Sequence, residues 1–253
     1  KVYKRQSFGY TRSQDAQPSL RRTGRLENVN FPYISTTRMT NLKALLGAGV
    51  HFGHQVGRWN VKMAPYIYET KNGLHILDLV QTLGELKTAR AVLKRSKHVL
   101  FVGTKPQMAP IIEDAAKKCH AHYVNTRWVG GLLTNWKTMS MCLRKLNQLD
   151  RQLNDSKHVE GLSKKDTLQL KKQRARLEKF FGGLRELRGL PDLVVIVGQQ
   201  SEKNAVDECQ KLGITTITLL DSNCDPTLST YGITANDDST RAVAIILASL
   251  AAD

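Results

Sequence analysis

Two segments of this chain combine glycine, cationic, amide and aromatic residues in a mixture suited to holding a polyanion. The first is GAGVHFGHQVGRWNVKMAPYI at 47–67, and the second is NTRWVGGLLTNW at 125–136. Core elements need aliphatic residues at helical or strand period, and neither segment has them. Glycine lets a ligand approach closely, Lys and Arg neutralise phosphates, and amides form hydrogen bonds with RNA. Both segments therefore predict contact with a sugar-phosphate backbone.

The first segment offers four neighbouring side chains for this contact. Arg58 and Lys62 are predicted to bind phosphates, while Trp59 and Asn60 are predicted to stack on a base and form hydrogen bonds. Burial of Trp59 in the core is the alternative, because an isolated Trp is usually mostly buried. His51 is predicted to lie in a loop that packs or stacks against RNA. The second segment contributes an analogous set of candidates, Arg127, Trp128, Asn135 and Trp136.

Metal chemistry is the alternative for the histidines of the first segment. His51 and His54 share one helical face only if Gly53 is helical, which glycine disfavours, and no four ligands are grouped. The four cysteines are too far apart for a zinc knuckle, and we interpret them as reduced, structural residues. We therefore predict no metal site and no disulfide framework.

Nucleotide binding is the alternative for two turns that follow predicted strands. These turns, at Gly103 and Gly198, lie where doubly wound folds bind nucleotides, but neither continues as GxGxxG or GxxxxGK[ST]. A nucleotide-dependent enzyme is the rival hypothesis, while our own prediction is no enzyme, no cofactor and no small-molecule substrate. The carboxylates that follow Asn236 are interpreted as the N-cap and first turn of a helix, since no His or Ser completes a catalytic set.

Two βαβ units must position these segments. The first is predicted as a strand at 98–102, a helix at 106–118 and a strand at 121–124. The second is a strand at 193–197, a helix at 201–212 with Ser201 as N-cap and Gly213 as C-cap, and a strand at 214–220. Such units predict a parallel sheet covered by helices, formed by residues 39–136 and 189–253.

Residues 137–188 have a different pattern, with two narrow apolar stripes separated by KHVEGLSKKD. The stripes predict a protruding antiparallel coiled-coil hairpin. Its charged residues are interpreted either as a solvated surface or as an RNA-binding face, and the sequence does not decide between them. The candidate RNA-binding residues here are Lys137, Arg144, Lys171, Lys172 and Arg174.

Charge is distributed very unevenly along the chain. The net charge of +16 arises from +6 in residues 1–38, +8 in 39–136, +8 in 137–188 and −6 in 189–253. Such segregation predicts that one side faces a polyanion. Residues 1–38 lack apolar periodicity and are interpreted as a basic arm in which Arg21 and Arg22 contact RNA, with a targeting peptide as the alternative. The sequence has no apolar run long enough to cross a bilayer, so no membrane partner is expected.

The two opening segments, together with GLPDLVVIV at 189–197, LLDSNCDP at 219–226 and ITANDDSTRAV at 233–243, resemble the family of the second protein of the small ribosomal subunit. The resemblance begins near Thr40 and reaches the C-terminus. It implies a Rossmann-like, flavodoxin-like body without catalysis, bound to small-subunit rRNA and other small-subunit proteins.

The same resemblance implies a place in the particle and a compartment. The family lies at the junction of the head and the body, joins late in assembly, and helps to dock the messenger-binding protein S-one. The strings LLDSNCDP and TANDD look like the cyanobacterial and chloroplast branch. We therefore expect the chloroplast, with the mitochondrion or a bacterial cytoplasm as alternatives, while a further non-ribosomal role stays open.

Overall fold

The computed structural model of this chain describes residues 41–154 and 163–252. A five-stranded parallel sheet has the order β5-β4-β6-β7-β8, and a three-stranded antiparallel sheet has the order β1-β3-β2. The strands are β1 Phe52–Gln55, β2 Ile67–Lys71, β3 Leu74–Leu77, β4 Val99–Val102, β5 His122–Val124, β6 Leu193–Ile196, β7 Thr215–Leu220 and β8 Tyr231–Thr234. The helices are α1 Leu42–Gly47, α2 Leu79–Arg95, α3 Ala109–Lys118, α4 Trp136–Asn154, α5 Lys164–Phe181, α6 Lys203–Leu212 and α7 Thr240–Leu250.

The central strands β4 and β6 are buried on both faces. Every residue of VLFV and LVVI is buried, as expected for parallel strands that are covered by helices on both sides. The two strands pair in register from Val99 with Leu193 to Val102 with Ile196. Since β4 lies between β5 and β6, the sheet has the flavodoxin-like strand order. The predicted α/β fold class is confirmed.

Alternate residues of these strands enter two separate cores. Phe101 and Val195 pack in a core with side chains of α2, α3 and α7, whereas Leu100 and Val194 pack in a core with side chains of α4 and α6. This division follows from the two-residue period of a strand, which directs neighbouring side chains to opposite faces. The second core also contains Trp128, so the segment at 125–136 is attached to the face of the sheet that holds α4.

The segment at 47–67 is more ordered than the predicted loop. Strand β1 pairs antiparallel with β3, and residues Val61–Tyr66 form a 3₁₀ helix. His51 lies in the turn before β1, as predicted, whereas the FGHQ backbone that follows finds a pairing partner in β3 although its side chains lack strand-like apolar alternation. Sequence patterns detect such short, half-exposed strands poorly because pairing supplies their stability.

The region at 137–188 contains two helices that pack against one another. The start of α4 and the end of α5 line the same cleft, so the helices run in opposite directions. Helix α4 buries Leu143, Leu146 and Leu149, whereas α5 buries only Phe181. Coiled-coil geometry along this hairpin stays a prediction, and residues 155–162 lie outside the described part of the chain.

Several predicted helix ends differ from the observed ones. Helix α6 begins at Lys203 with Glu202 in the cap position, so the N-cap prediction for Ser201 was wrong. Helix α7 is capped by Ser239, which accepts a hydrogen bond from the Ala242 N–H, so the prediction that the carboxylates of Asp237 and Asp238 form its N-cap and first turn was wrong. The C-cap prediction for Gly213 is confirmed by its positive φ of 65°.

The predicted arm at 1–38, including Arg21 and Arg22, lies outside the described residues. Among residues 41–154 and 163–252, no helix is both long and apolar enough to span a bilayer.

Candidate nucleic-acid interface

The carboxyl ends of β4 and β6 meet at the point where strand order reverses, which is the usual ligand crevice of this fold class. Here the chain fills the crevice with its own polar groups. The Thr104 N–H and hydroxyl both donate to Glu202, at 2.8 and 2.6 Å. The Gln199 side chain donates to the Asp225 carbonyl and accepts from its N–H, at 2.8 and 2.7 Å. Gly198 has a φ of 86°, in the left-handed region that glycine adopts most easily, so glycine is needed here for the turn of the chain.

Lys105, the cation of the first turn, is bound to carboxylates. Its Nζ lies 2.8 Å from Asp237 Oδ1 and 2.8 Å from Asp238 Oδ1. Burial lowers the pKa of Lys105, but the two carboxylates outweigh burial and hold the pKa above its ordinary value. Burial also raises the pKa of Asp237, against the opposing effect of Lys105. Lys105 is thus already neutralised, and the carboxylates of the crevice place negative charge where a nucleotide would need positive charge.

His54 joins the same group of carboxylates from β1. Its Nδ1 lies 3.0 Å from Asp221 Oδ1, and its Nε2 lies 3.4 Å from Asp238 Oδ2. The Asp221 carboxylate raises the pKa of His54, although burial opposes this effect. In the described residues, no group of three or more His, Cys, Asp or Glu side chains is arranged to hold a metal ion. The contacts of His54 with Asp221 and Asp238 connect β1 of the small sheet to the loops that follow β7 and β8 of the large sheet.

Two candidates of the first segment have structural partners. Asn60 accepts a hydrogen bond from the Lys62 N–H at 3.0 Å and so caps the 3₁₀ helix that follows. Lys62 Nζ lies 2.7 Å from Asp225 Oδ2 and donates to Thr227 at 3.1 Å. These contacts attach the first segment to the loop after β7, although Lys62 remains half exposed.

The other candidates of the first segment differ in exposure. Arg58 is exposed, and Trp59 is 39% exposed with its ring centroid 5.0 Å from that of His75. Trp59 therefore keeps a surface available for stacking. His51 is half-buried, its ring centroid lies 4.0 Å from that of Phe52, and burial lowers its pKa. Arg58 and Trp59 are therefore the exposed cation and the exposed indole of this segment.

The second segment folds around the buried carboxylate of Glu208 on α6. Oε1 accepts from the Trp128 indole N–H at 2.9 Å and the Gly131 N–H at 2.8 Å, while Oε2 accepts from the N–H groups of Leu133 and Thr134 at 3.0 and 3.1 Å. Burial raises the pKa of Glu208, but these hydrogen bonds outweigh it and hold the pKa below its ordinary value. The glycine-rich loop is an anion cradle whose anion is the protein's own carboxylate.

This arrangement explains why Trp128 is not a surface residue. Its side chain is only 6% exposed and belongs to the second core. Trp136 packs beside that core and is half-buried, whereas Arg127, Asn135 and Lys137 are exposed. Gly131 has a φ of 81°, which lets the loop direct successive N–H groups at one carboxylate.

Glu208, which organises the loop of the second segment, is the main residue of this region that the sequence analysis did not identify. It lies on α6 three positions after Ala205, on the buried face of an otherwise apolar stripe. The sequence signal that could have revealed Glu208 is an acidic residue at a core position, because a buried carboxylate needs several hydrogen-bond donors. Its partners lie more than 70 residues away along the chain, at separations of 74 to 80, and no local pattern reveals such pairs.

The hairpin cations differ in whether the protein already neutralises them. Arg174 pairs with Asp150, which also lies 2.6 Å from Arg185 Nη1. The other hairpin candidates are exposed and have no ion-pair partner among the described residues; they are Lys137, Arg144, Lys171 and Lys172. The hairpin therefore presents several uncompensated cations to solvent.

Comparison with known proteins identifies the family of this chain. The model of the family described as Ribosomal protein S2 matches residues 45–252. The chain belongs to the ribosomal protein S2 family. It is similar to the small ribosomal subunit protein uS2c of Ostreococcus tauri, with 66% identity over 84% of this chain and 94% of that protein. It is also similar to the small ribosomal subunit protein uS2 of Picosynechococcus sp., with 47% identity over 84% of each chain.

A third relative supports the same branch of the S2 family. The small ribosomal subunit protein uS2c of Oltmannsiellopsis viridis is 46% identical over 82% of this chain and 88% of that protein. The predicted resemblance to chloroplast and cyanobacterial members is thereby confirmed. Membership of this family supports a structural role in the small ribosomal subunit.

Proposed function

We propose that this S2-family chain is a non-enzymatic constituent of the small ribosomal subunit that binds rRNA through uncompensated cations beside the sheet and on the hairpin. The observation that carries the proposal is the contrast in charge pairing. Lys105 is neutralised in the crevice, whereas Arg58, Arg127 and most hairpin cations are exposed without ion pairs among the described residues. Cations that the protein does not neutralise are free to replace the counterions of RNA phosphates.

The finer position in the particle follows from the family resemblance. We propose that the chain lies at the junction of head and body, joins late in assembly and supports translation in plastids. Relatives with the name uS2c support the plastid assignment. The test is gradient sedimentation of the tagged protein from its native extract at moderate salt, with sequencing of the co-sedimenting RNA. Co-migration with plastid small-subunit rRNA is expected, and migration as an RNA-free monomer would overturn the proposal.

Arg58 and Lys62 provide a residue-level test within the first segment. Arg58→Ala is expected to weaken incorporation into subunits, because Arg58 is exposed and makes no ion pair with another described residue. Lys62→Ala is expected to act partly through stability, since Lys62 also holds Asp225. Quantitative mass spectrometry of gradient fractions measures incorporation, and urea unfolding separates the two causes. Normal incorporation of Arg58→Ala would remove Arg58 from the proposed interface.

A separate apolar groove of this chain is proposed to bind a neighbouring protein. A groove of about 640 Å³ beside α1 and the small sheet is bordered by the exposed apolar residues Leu46, Phe52, Tyr68 and Val80. Contiguous exposed apolar surface favours protein contact over RNA contact. We propose that a small-subunit protein covers it, with the messenger-binding protein S-one as the candidate that the resemblance supplies. Unchanged co-purification of S-one with a Tyr68→Glu variant would exclude that partner from this surface.

The rival function is a nucleotide-dependent activity at the turns after β4 and β6. Isothermal titration of the isolated protein with ATP, NAD and S-adenosylmethionine discriminates between the two functions. We expect no micromolar binding, because Lys105 is already held by two carboxylates. Micromolar affinity for any of the three ligands would revive the enzyme hypothesis.

A further inference from the structure

A cleft of about 580 Å³ lies at the base of the hairpin, between the loop at 127–130 and helices α4 and α5. Its apolar wall includes Met139 and Cys142 from α4 and Leu177 and Phe180 from α5. These residues are only partly buried, so solvent reaches the apolar wall of the cleft. A volume of this size lies in the range of sites that hold a small organic ligand.

Three cations stand at this apolar cleft, one from each element that forms it. They are Arg127 from the loop, Lys145 from α4 and Arg176 from α5. All three are exposed, and none has an ion-pair partner among the described residues. A fourth cation, Lys179, has its Nζ 5.9 Å from the centroid of the Phe180 ring.

Apolar walls with a cationic rim match the two parts of a nucleotide. A base needs an aromatic or apolar surface on which to stack, and its phosphates need Lys or Arg. An acidic side chain would pair with the cations but has no flat face to stack on Phe180, whereas a nucleotide supplies both a phosphate and a base. The chemistry therefore favours RNA over a protein segment.

We propose that this hairpin-base cleft holds one unstacked nucleotide of the small-subunit rRNA. The base stacks on Phe180 and packs against Met139 and Leu177, while Arg127 and Arg176 neutralise the flanking phosphates. Trp128 forms part of the wall, held in place by its hydrogen bond to Glu208. This inference rests on the proposed rRNA-binding function, which it makes specific to one site.

Photocrosslinking of small subunits that contain this chain tests the cleft directly. Short-wavelength ultraviolet light joins stacked bases to neighbouring aromatic and cysteine side chains, and mass spectrometry of the digested subunit locates the adducts. We expect a nucleotide adduct on Phe180 or Cys142. Adducts confined to other parts of the chain would overturn the cleft and leave the proposed function standing, whereas the absence of this chain from the particle would overturn both.

Two variants give a second measurement on the full chain with purified small-subunit rRNA. Phe180→Leu keeps the apolar packing but removes the ring, and it should weaken affinity roughly tenfold, as expected for one lost stacking contact. Leu177→Trp should fill the cleft and abolish the adduct. Leu168→Ala on α5, at an exposed apolar residue away from the cleft, is the matched control and should bind as the unmodified chain does.

The outcomes of these variants separate the possible occupants. Unchanged rRNA affinity of both Phe180→Leu and Leu177→Trp would overturn the nucleotide assignment. Loss of a neighbouring ribosomal protein from Leu177→Trp particles, with all rRNA adducts retained, would overturn it as well and would assign the cleft to a protein segment.

Discussion

The crevice at the ends of β4 and β6 and the cleft at the base of the hairpin treat their cations in opposite ways. In the crevice, Lys105 lies 2.8 Å from each of two carboxylates and is largely withdrawn from solvent. At the cleft, Arg127 and Arg176 are exposed and have no ion pair among the described residues. In this chain, the crevice where the fold usually binds ligands is thus occupied by polar side chains of the protein itself. We expect stability to depend on the crevice and RNA affinity to depend on the hairpin.

The largest expected effect is the loss of stability on removal of Lys105. Lys105→Met leaves the buried carboxylate of Asp237 without its cation, and breaking such a pair costs about 3–5 kcal/mol. Urea unfolding at neutral pH measures the change. The deficit should shrink at acidic pH, because burial already raises the pKa of Asp237 and protonation removes the uncompensated charge.

Lys172→Met is the matched control for this prediction. Lys172 is exposed on α5 and has no ion-pair partner among the described residues, so its replacement should leave the free energy of unfolding within about 0.5 kcal/mol. Equal stability of Lys105→Met and the unmodified protein would show that the crevice is not the structural element inferred here.

The second expected effect concerns the loop that Glu208 organises. Glu208→Gln replaces a carboxylate by an amide whose NH₂ group must face one of two pairs of N–H donors, either Trp128 and Gly131 or Leu133 and Thr134. The expected loss is about 2–3 kcal/mol, the scale of hydrogen bonds to a charged group. The neighbouring Asp207→Asn should change stability little, because Asp207 makes no comparable set of contacts among the described hydrogen bonds.

The pH dependence of this effect has a definite sign. The folded-state pKa of Glu208 is held below its ordinary value of 4.5, so its stabilisation is present above that pH. The advantage of the unmodified chain over Glu208→Gln should therefore narrow as the pH falls below about 4.5. Chemical unfolding of both proteins across that range measures the difference, and a constant difference would contradict the assignment of an ionised carboxylate.

The third prediction compares two arginines of one helix. Arg176→Ala should lower rRNA affinity and reduce the salt dependence of binding by roughly one phosphate contact, about 0.7–0.9 in the logarithmic slope. Arg174 instead pairs with Asp150, so Arg174→Ala should cost at most about 1 kcal/mol of stability and should affect RNA binding less. Filter binding across a salt series measures both. A larger effect of Arg174→Ala on rRNA affinity would reverse the proposed distinction.

The same division between internal and external partners explains how far the sequence could predict this structure. Strands β4 and β6 were recognisable because continuous burial requires continuous apolar residues. The candidates Arg58 and Lys62 looked equivalent in sequence, yet Asp225 holds only Lys62. Trp128 looked like a stacking residue because its partner Glu208 lies 80 positions away. Local patterns indicate residue chemistry, but long-range pairing decides which charges and rings remain available.

The smallest expected effect is the pH response of His54, which tests whether the crevice is an electrostatic unit. Asp221 raises the pKa of His54, with further contributions from Asp238 and Asp237. A histidine whose folded-state pKa exceeds the unfolded value of 6.5 contributes stability below that value and loses it as pH rises through the raised pKa. His51 acts in the opposite direction because burial lowers its pKa.

The informative quantity is therefore the difference in unfolding free energy between the unmodified chain and His54→Gln. This difference should decline by less than about 1 kcal/mol between pH 6 and pH 8, and urea unfolding at several pH values measures it. A difference that grows with pH would show that the carboxylates of Asp221 and Asp238 do not stabilise the protonated ring.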